Sequence, residues 1–490
     1  MNWWLAWLIA FLVGLSIISI YFSRKIKSSD EYVMANFSLG FFPIAGSIIA
    51  TALGASAIIG NAGKGFSMGM TWFTATIPYV IVSMILAFVL GATIRKLKLY
   101  TVPDLFVRRF GKAAGLIPAL VVSVLYMTPV FGMQIVGMGS ILTSIVGIPL
   151  FWAMLLGFVV CVCFTIFGGM PGVSWTDAVQ SVLIIAGLVI MFFMGLHHVG
   201  GFQVVLDETP GELLSFFSFT PVEMFNYLII FGPFYIVWQT TWQRFSAAKT
   251  EKIAVRAVAT GYFLCGVVSI FAIGIGVVAK LALPAGTPDD LVYTNFMTMI
   301  AHPAIGGLFM ISLFAAVLTG ATSFLLSGAT NISNDIYLNW INPKATDKKL
   351  LLVSRLSVSG MALAGLAIAL FIKDIMVIFT YALSLSAVTL VMPVLAAMFW
   401  KRATKTGVIW STITSLPVAL VWSLIGNPFG LHEIVPGIIV SFLVLVTVSL
   451  MTKHSEDEEV VAYYFALKDE IDPALALEQQ DSMGVEQARS

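Results

Sequence analysis

The stretch Gly54-Ala-Ser-Ala-Ile-Ile-Gly60-Asn-Ala-Gly63-Lys-Gly65 interrupts an apolar segment that runs from about Phe41 to Met70. A second apolar segment, about Glu223 to Phe245, is interrupted by Gly232-Pro233 and continues as Trp238-Gln-Thr-Thr241. A helix that breaks inside a bilayer leaves backbone amides and carbonyls that lipid cannot satisfy, so such a break is expected only where it lines a site. Corresponding breaks in two repeated halves are typical of the binding site of a secondary transporter.

The composition indicates a membrane protein. Of the 490 residues, 59% are hydrophobic and only 10% are charged, whereas soluble domains carry about 25% charged residues. The net charge of +1 gives no reason to expect a nucleic-acid partner. Cys161, Cys163 and Cys265 all lie in apolar segments, so they indicate neither a disulfide framework nor a metal site.

Apolar stretches of about 20 residues, long enough to cross a bilayer as helices, recur along the whole chain. They predict an all-α polytopic membrane protein with about thirteen transmembrane helices. The predicted helices lie near residues 3–22, 41–70, 72–94, 116–145, 149–168, 175–198, 223–245, 257–282, 303–336, 350–372, 375–400, 407–425 and 433–451.

The two interrupted helices open two successive groups of five. Residues 41–198 form the first group and residues 223–400 the second, and an odd number of helices forces the second group to cross the membrane in the opposite direction. This predicts a five-plus-five inverted repeat. Residues 1–40 are expected to add an extra helix and a loop, 407–451 two further helices, and 452–490 an acidic cytoplasmic tail.

Basic residues lie in alternate connections between the predicted helices, and the other connections hold almost none. By the positive-inside rule this pattern places the N-terminus outside and the C-terminus in the cytoplasm of a cell whose plasma membrane the protein spans. The basic residues concerned are Arg24, Lys25, Lys27, Arg95, Lys96, Lys98, Arg108, Arg109, Lys112, Arg244, Lys249, Lys252, Arg256, Lys344, Lys348, Lys349, Arg355, Lys401, Arg402 and Lys405.

Hydroxyl groups recur on one face of the ninth predicted helix, at Thr319, Thr322 and Ser323. In the first broken helix the carbonyls of Ala50 and Leu53 would lose their usual partners. Such neutral oxygens together could coordinate a small, singly charged cation. The alternative is that the hydroxyls bond back to their own helix and provide a close-packing surface.

Four charged residues lie in or beside the predicted helices, and two of them admit more than one interpretation. Asp177 is either a functional carboxylate at membrane depth or the end of a helix cap that begins at Ser174. Lys64 either attracts a carboxylate solute or extends toward water at its helix end. Arg244 and Asp335 are interpreted as ordinary cytoplasmic surface charges at the inner ends of helices.

Four segments resemble the sodium/solute symporter family and occur in that family's order and spacing. The first two are Ile59-Gly-Asn-Ala-Gly-Lys-Gly-Phe-Ser-Met-Gly69 and Gly168-Gly-Met-Pro-Gly-Val-Ser-Trp-Thr-Asp-Ala-Val-Gln180. The others are Gln243-Arg-Phe-Ser-Ala-Ala-Lys249 and Ser333-Asn-Asp-Ile-Tyr337. The resemblance covers nearly the whole chain and implies that the inverted repeat is of the LeuT type.

The resemblance implies a sodium site formed by the carbonyls of Ala50, Leu53 and Ala316 and by the Thr319 hydroxyl. One position departs from the family pattern, because a second hydroxyl residue is usual directly after the first and Gly320 stands there.

A second sodium site is implied by Asp177, Thr322 and Ser323, as in members that couple two sodium ions. The expected cofactor is therefore one or two sodium ions, with no organic cofactor.

The solute is expected to bind between the two helix breaks. The residues proposed to line its site are Ser56, Ala57, Trp238, Gln239 and Thr240, together with Gln134, Ser384 and Ser386. The last three have an alternative role in hydrogen bonds between helices. Galactose-binding relatives carry more polar groups at the positions of Ser56 and Ala57, so an organic acid or amino acid is favoured over a sugar.

The predicted function is import of a small organic solute by sodium-coupled symport with alternating access. A proton-coupled or uncoupled carrier on the same fold is the first alternative, suggested by Gly320, and a membrane sensor domain is an alternative of another class. An enzyme is not expected, because the chain has no phosphate loop and no nucleophile–base constellation. The expected partners are the solute, sodium and the lipid bilayer, with no obligate protein partner.

Overall fold

The computed structural model describes residues 3–453, and within that range all the regular secondary structure is helical. All but the first two residues of the predicted acidic tail, 452–490, lie outside the described residues. The helices are α1 Trp3–Ser23, α2 Ser29–Met34, α3 Phe41–Ala52, α4 Ser56–Met68, α5 Thr71–Leu97, α6 Val102–Phe110, α7 Lys112–Val146, α8 Leu150–His198, α9 Phe202–Glu208, α10 Gly211–Leu214, α11 Pro221–Phe231, α12 Gln239–Ala247, α13 Glu251–Ala279, α14 Asp289–Ile300, α15 Pro303–Thr330 with a π-helical extension Asn331–Ile341, α16 Asp347–Phe371, α17 Ile375–Phe399, α18 Lys405–Leu424 and α19 Ile434–Met451.

The number of membrane passes follows from the lengths of these helices. Among the described residues eleven helical segments are long and apolar enough to cross a bilayer, and the α3–α4 pair adds a bent twelfth. Helix α8 has 49 residues, about twice the length that a single pass requires. It changes direction at Gly169, whose φ of 53° is a left-handed value that favours glycine. If α8 is counted as two passes instead of one, the twelve segments become thirteen, the number that the sequence predicts.

Helix α15 lies at the centre of the bundle. In its most apolar window 83% of the residues are buried, against 22% in α1. The large apolar side chains that remain exposed, such as Ile17, Phe88 and Leu356, lie on the peripheral helices. In a bilayer these side chains would face lipid, which is the solvent that an apolar surface requires.

Both predicted breaks are present. Helix α3 ends at Ala52, and α4 resumes at Ser56 after a bend of 58°. Helix α11 ends at Phe231, and a 3₁₀ turn, Pro233–Ile236, separates it from α12. The division into two inverted groups of five remains a prediction, but each proposed group begins with an interrupted helix.

The segments flanking the two broken helices are joined through backbone atoms. The Leu39 amide, just before α3, donates to the Ala247 carbonyl at the end of α12 at 3.0 Å. The Lys249 amide donates in return to the Leu39 carbonyl at 2.8 Å. This pair of bonds, called here the Leu39 bridge, connects the start of one broken helix to the end of the other.

Candidate functional site

The structure brings together three of the four oxygens of the predicted first sodium site. The Thr319 hydroxyl on α15 donates to the Ala50 carbonyl at 2.8 Å and to the Ala316 carbonyl at 2.9 Å. All three residues are fully buried, as is Leu53, the residue that directly follows α3. We call these four residues the Thr319 cluster. Its oxygens are neutral, which suits an ion of single charge.

The space beside Gly320 is occupied by the side chain of Gln134 from α7. A Cβ atom added at residue 320 would collide with the Gln134 Nε2 atom, and a Cβ added at Gly54 would lie 2.5 Å from it. The Gln134 Oε1 atom accepts a hydrogen bond of 2.9 Å from the Ala55 amide, in the break between α3 and α4. Gly320 thus leaves room for a buried amide that satisfies an unpaired backbone group of the break.

A cavity opens beside the two breaks. The space in it that water can reach is about 30 Å³, so the cavity is narrow in this conformation. Four of the predicted solute-site residues line it, namely Ser56, Ala57, Gln134 and Trp238. The others lining it are Thr51, Ala52, Gly54, Asn61, Trp72, Thr76, Tyr79, Met133, Phe231, Tyr235, Phe324, Met376 and Phe379.

Two predicted residues on α12 do not line this cavity. The Gln239 side chain is fully buried, accepts from the Val102 amide at 2.7 Å and donates to Asn331 Oδ1 at 3.1 Å. Thr240 is also buried outside the cavity lining. The helix resumes at Gln239, and the residues that follow Trp238 pack against neighbouring segments.

Ser384 and Ser386 on α17 also lie outside the cavity lining. The Ser384 hydroxyl donates to the Thr380 carbonyl of its own helix at 2.8 Å. This bond corresponds to neither of the two roles considered for Ser384, solute contact and a bond between helices. Serine hydroxyls in apolar helices commonly bond back in this way.

The sequence reasoning missed several residues that line the cavity, among them Asn61 and Trp72. The Trp72 indole donates to Asn61 Oδ1 at 2.9 Å, and both side chains are buried. Asn61 lies in the interrupted segment between Gly54 and Gly65. A polar amide in such an apolar stretch was a usable signal.

The predicted second sodium site contains a buried ion pair. Asp177 Oδ2 accepts from the Ser47 hydroxyl at 2.6 Å and from the Ser323 hydroxyl at 3.4 Å. The Arg244 Nη2 atom lies 3.7 Å from Asp177 Oδ2 and donates to Ser47 at 2.9 Å and to Ser323 at 2.7 Å. Both charged side chains have 0% exposure. The guanidinium thus supplies a positive charge beside Asp177.

The interpretation of Arg244 and Asp335 as surface charges is wrong. Arg244 binds three side chains from other helices, as described above. Asp335 is 1% exposed and accepts from the Thr101 hydroxyl at 2.9 Å. Other segments of the chain cover the Arg244 and Asp335 side chains, so neither charge reaches water.

The third member of the proposed second site, Thr322, is directed along its own helix. Its hydroxyl donates to the Leu318 carbonyl at 3.1 Å and to the Thr319 carbonyl at 3.2 Å. Of the three proposed ligands, only Asp177 and Ser323 therefore lie within hydrogen-bonding distance of each other.

Lys64 is engaged in an ion pair with Asp289 at the start of α14. The Nζ–Oδ2 distance is 2.9 Å, and the two side chains are 25% and 33% exposed. Neither interpretation from the sequence, attraction of a solute carboxylate or extension toward water, included this acidic partner. Asp289 lies 225 residues after Lys64 in sequence, so no local sequence pattern indicates the pair.

The carboxyl next to this pair is electrostatically unusual. Burial and the nearby Asp374 and Asp289 carboxylates together raise the pKa of Asp290 from 3.8 to about 6, although the Ile375 amide and Lys64 oppose the shift. Helix α14 therefore begins with one paired carboxylate and one that takes up a proton near pH 6.

The sequence profile of the sodium:solute symporter family matches residues 32–415. The osmoregulated proline transporter OpuE of Bacillus subtilis (strain 168) is 25% identical over 461 residues, covering 90% of this chain and 94% of that protein. The sodium/proline symporter of Staphylococcus aureus is 26% identical and covers 92% and 93%. The sodium/glucose cotransporter of Vibrio parahaemolyticus is 25% identical and covers 88% and 86%.

Solved structures share the fold. A Na⁺-coupled sialic acid symporter in a substrate-bound, outward-open state superimposes with a TM-score of 0.82 at 20% identity, covering 93% of this chain and 99% of that one. Mhp1, a nucleobase-cation-symport-1 family transporter, gives 0.62 at 18% identity, covering 88% and 98%. These likenesses confirm the predicted LeuT-type architecture. With the family match over most of its length, the chain belongs to the sodium:solute symporter family, whose members couple solute transport to sodium.

Proposed function

We propose that this protein imports a small amino acid across the plasma membrane together with one sodium ion, by alternating access. The observation that carries this proposal is the position of the Thr319 cluster, a set of neutral oxygens beside a cavity lined by both broken helices. An ion and a solute that bind side by side in one conformation raise each other's affinity by the same factor.

The chemistry of the Thr319 cluster favours sodium over a proton as the coupling ion. Its proposed ligands are the carbonyls of Ala50, Leu53 and Ala316 and the Thr319 hydroxyl. Carbonyl and hydroxyl oxygens are ligands for hard cations. None of these groups takes up a proton near neutral pH, so a proton would have no carrier at this position.

The lining of the cavity favours a small zwitterion with an apolar body. None of the cavity-lining residues is charged, and aromatic side chains form much of the wall, including Trp72, Phe231 and Trp238. Backbone groups freed at the breaks can hold the charged groups of an amino acid, with the start of α4 suited to its carboxylate. Because two of the relatives named above transport proline, proline is the first solute to test. An organic acid is the alternative.

The Asp177 network supports a single coupling ion. A buried carboxylate requires a compensating charge, and the Arg244 guanidinium lies 3.7 Å away. Thr322 donates to its own helix instead of turning to Asp177. We therefore propose that Arg244 balances Asp177 permanently and that sodium binds only at the Thr319 cluster.

The orientation also belongs to the proposal. The distribution of Lys and Arg among the connections supports an N-terminus outside and a C-terminus inside. The Leu39 bridge and Arg244 then lie toward the cytoplasm, and the Lys64–Asp289 pair lies toward the outside.

The test is uptake of labelled proline into proteoliposomes with an inward sodium gradient. We expect concentrative uptake with a hyperbolic dependence on sodium, and competition by small amino acids but not by sugars. Uptake that persists when choline replaces sodium and that follows a proton gradient would support the proton-coupled carrier instead.

Three further outcomes address the number of ions, the class of solute and the choice between transporter and sensor. Sigmoidal activation by sodium would contradict the single ion. Competition by monocarboxylates without competition by amino acids would identify an organic acid as the solute. Solute binding without any flux would favour the sensor domain over a transporter.

A further inference from the structure

Helix α6 lies at the end of the bundle whose connections are rich in Lys and Arg. It is the nine-residue segment Val102–Phe110 between α5 and α7, and its Leu105 and Phe106 side chains are fully buried. Arg108 and Arg109 lie in its last turn. In the proposed orientation this end of the bundle faces the cytoplasm.

The start of α6 is hydrogen-bonded to two other helices. The Val102 amide donates to Gln239 Oε1 on α12 at 2.7 Å. The Thr101 hydroxyl, directly before α6, donates to Asp335 Oδ1 in the π-helical extension of α15 at 2.9 Å. Amides in the first turn of a helix have no partner within that helix, so Gln239 supplies the acceptor that the Val102 amide needs.

The last turn of α6 is bonded to a third segment. The Arg109 Nη2 atom donates to the Lys401 carbonyl at 3.1 Å and to the Trp400 carbonyl at 3.3 Å, in the connection between α17 and α18. Arg109 is buried. Both ends of α6 are therefore fixed to segments that are distant in sequence.

Gln239 connects α6 to the wall of the solute cavity. It is the first residue of α12 and directly follows Trp238, which lines the cavity. Its Nε2 atom donates to Asn331 Oδ1, at the start of the π-helical extension of α15, at 3.1 Å. One buried amide group thus bonds to α6 and to α15, and a displacement of Trp238 would be transmitted to both bonds.

Two buried polar atoms beside these bonds have no hydrogen-bond partner in the part of the chain that the structure describes. They are Asp335 Oδ2 and Asn331 Nδ2, on residues that are at most 1% exposed. Burial of a polar group without a partner is unfavourable. A conformation that admits water at this position would relieve that cost, which is the property expected of an element with two states of similar free energy.

We propose that α6 is the inner gate of the transporter and that Gln239 and Asp335 are the positioning residues that hold it closed. This inference rests on the proposed alternating access, in which the cavity is closed to one side at a time. In this structure α6 is bonded to both residues. Release of the solute to the cytoplasm requires that α6 leave them, and Gln239 makes this step depend on the position of the cavity wall.

The experiment measures access to the cavity from each face of the membrane. Ala57→Cys places a thiol in the cavity lining, in a protein whose exposed Cys163 is replaced by Ala. Its labelling by a membrane-impermeant thiol reagent is followed in inside-out and right-side-out vesicles. Gln239→Ala should raise the rate in inside-out vesicles about tenfold, because the bonds to Val102 and Asn331 are lost. The rate in right-side-out vesicles should not rise.

Gln243→Ala is the matched control. Gln243 is an equally buried glutamine on α12, but its hydrogen bonds in the described part of the chain go to Ser327 and Thr330 on α15. It should change the labelling rate by less than about twofold. At the other contact, Thr101→Ala should raise labelling from the cytoplasmic face, and Thr101→Ser, which keeps the hydroxyl, should restore the original rate.

A second variant separates gate opening from loss of folding. Thr101→Cys with Asp335→Cys places two thiols where the hydroxyl meets the carboxylate. A short bifunctional thiol reagent that joins them should arrest proline uptake, because α6 can then no longer leave α15. The rise in melting temperature when sodium is added should persist in the bridged protein, since the bridge is distant from the Thr319 cluster.

Faster labelling from the cytoplasmic face alone, in both Gln239→Ala and Thr101→Ala, is the expected result. Unchanged labelling, an equal rise from both faces, or an equal rise in Gln243→Ala would overturn the inner gate. Uptake that continues at full rate after bridging would overturn it as well. Sodium-independent uptake by the wild-type protein would instead overturn the proposed function, so the two failures are distinguishable.

Discussion

The two broken helices differ in how their breaks are built. The first break spans three residues, Leu53 to Ala55, and small residues around it let backbone oxygens approach a hydroxyl on α15. The second break is longer and aromatic, with ring centroids of Tyr235 and Trp238 4.6 Å apart. In the proposed function, the first break offers backbone groups to an ion, whereas the second offers side chains to a solute.

The two breaks are also linked by one side chain. Arg244, on α12 after the second break, donates to Ser47 on α3 before the first break at 2.9 Å. It donates to Ser323 on α15 at 2.7 Å as well. The two halves of the site thus share a buried charge network in addition to the cavity.

The largest effect is expected from Arg244→Ala, which leaves Asp177 buried without a compensating charge. Removing one partner of a buried pair typically costs about 3–5 kcal/mol. We expect a large fall in melting temperature and loss of proline uptake in proteoliposomes.

The double variant Arg244→Ala with Asp177→Asn should recover part of the lost stability, because it removes both charges. Arg108→Ala is the matched control, since it breaks an ion pair of 2.9 Å whose arginine is 39% exposed, for which at most about 1 kcal/mol is expected. If Arg244→Ala were no more harmful than Arg108→Ala, the two breaks would not depend on this network.

Thr319→Ala tests the contribution of the first break. It removes the hydroxyl that meets the Ala50 and Ala316 carbonyls. We expect the sodium concentration for half-maximal uptake to rise about tenfold, with Thr319→Ser close to the wild type.

Thr322→Ala is the control, because its hydroxyl bonds only within α15. Equal effects of Thr319→Ala and Thr322→Ala on sodium activation would argue against a single ion at the Thr319 cluster. They would also weaken the contrast between an ion-binding break and a solute-binding break.

Trp238→Ala tests the contribution of the second break. It removes an aromatic wall of the cavity, so the KM for proline should rise about tenfold while sodium activation at saturating proline changes little. Trp238→Phe should have a smaller effect of the same kind.

Trp242→Phe is the matched control, since Trp242 is buried and does not line the cavity. A change in sodium activation with an unchanged proline KM in Trp238→Ala would reverse the roles assigned to the two breaks.

The smallest effect concerns pH and helix α14, which contacts the segment after the first break. The pKa of Asp290 is about 6 in the folded protein, above its ordinary value of 3.8. The folded state therefore binds more protons than the unfolded state between these values, so stability should fall as pH rises from about 4 to about 6 and level off above.

Asp290→Asn should flatten the plot of melting temperature against pH over this interval. Asp207→Asn, at an exposed site, should leave the plot unchanged. A wild-type protein whose stability rises over the same interval would show that Asp290 does not control it.

The membrane passes and the two breaks could be predicted from the sequence because their signals are local. A pass needs about 20 apolar residues, and Gly232-Pro233 marks a break within a few positions. The Thr319 hydroxyl and the Ala50 and Leu53 carbonyls were also accessible, because hydroxyl spacing and a helix break are local properties. The Ala316 carbonyl came only from the family resemblance.

The polar contacts between distant segments could not be predicted in the same way. Gln134 and Ala55 are 79 residues apart, and Arg244 and Ser47 are 197 apart. A charge at a helix end has the same local sequence whether water or another helix covers it, so Arg244 was assigned to the surface. Gly320 was interpreted as a lost ligand because the amide that occupies its space comes from another helix.

The Leu39 bridge has a mechanical consequence. Its two hydrogen bonds use only main-chain atoms of Leu39, Ala247 and Lys249, so most replacements of side chains leave them intact. They tie the front of one discontinuous span to the rear of the other. A motion that opens the cavity should therefore move both spans together as one rigid body, with the hinge elsewhere in the protein.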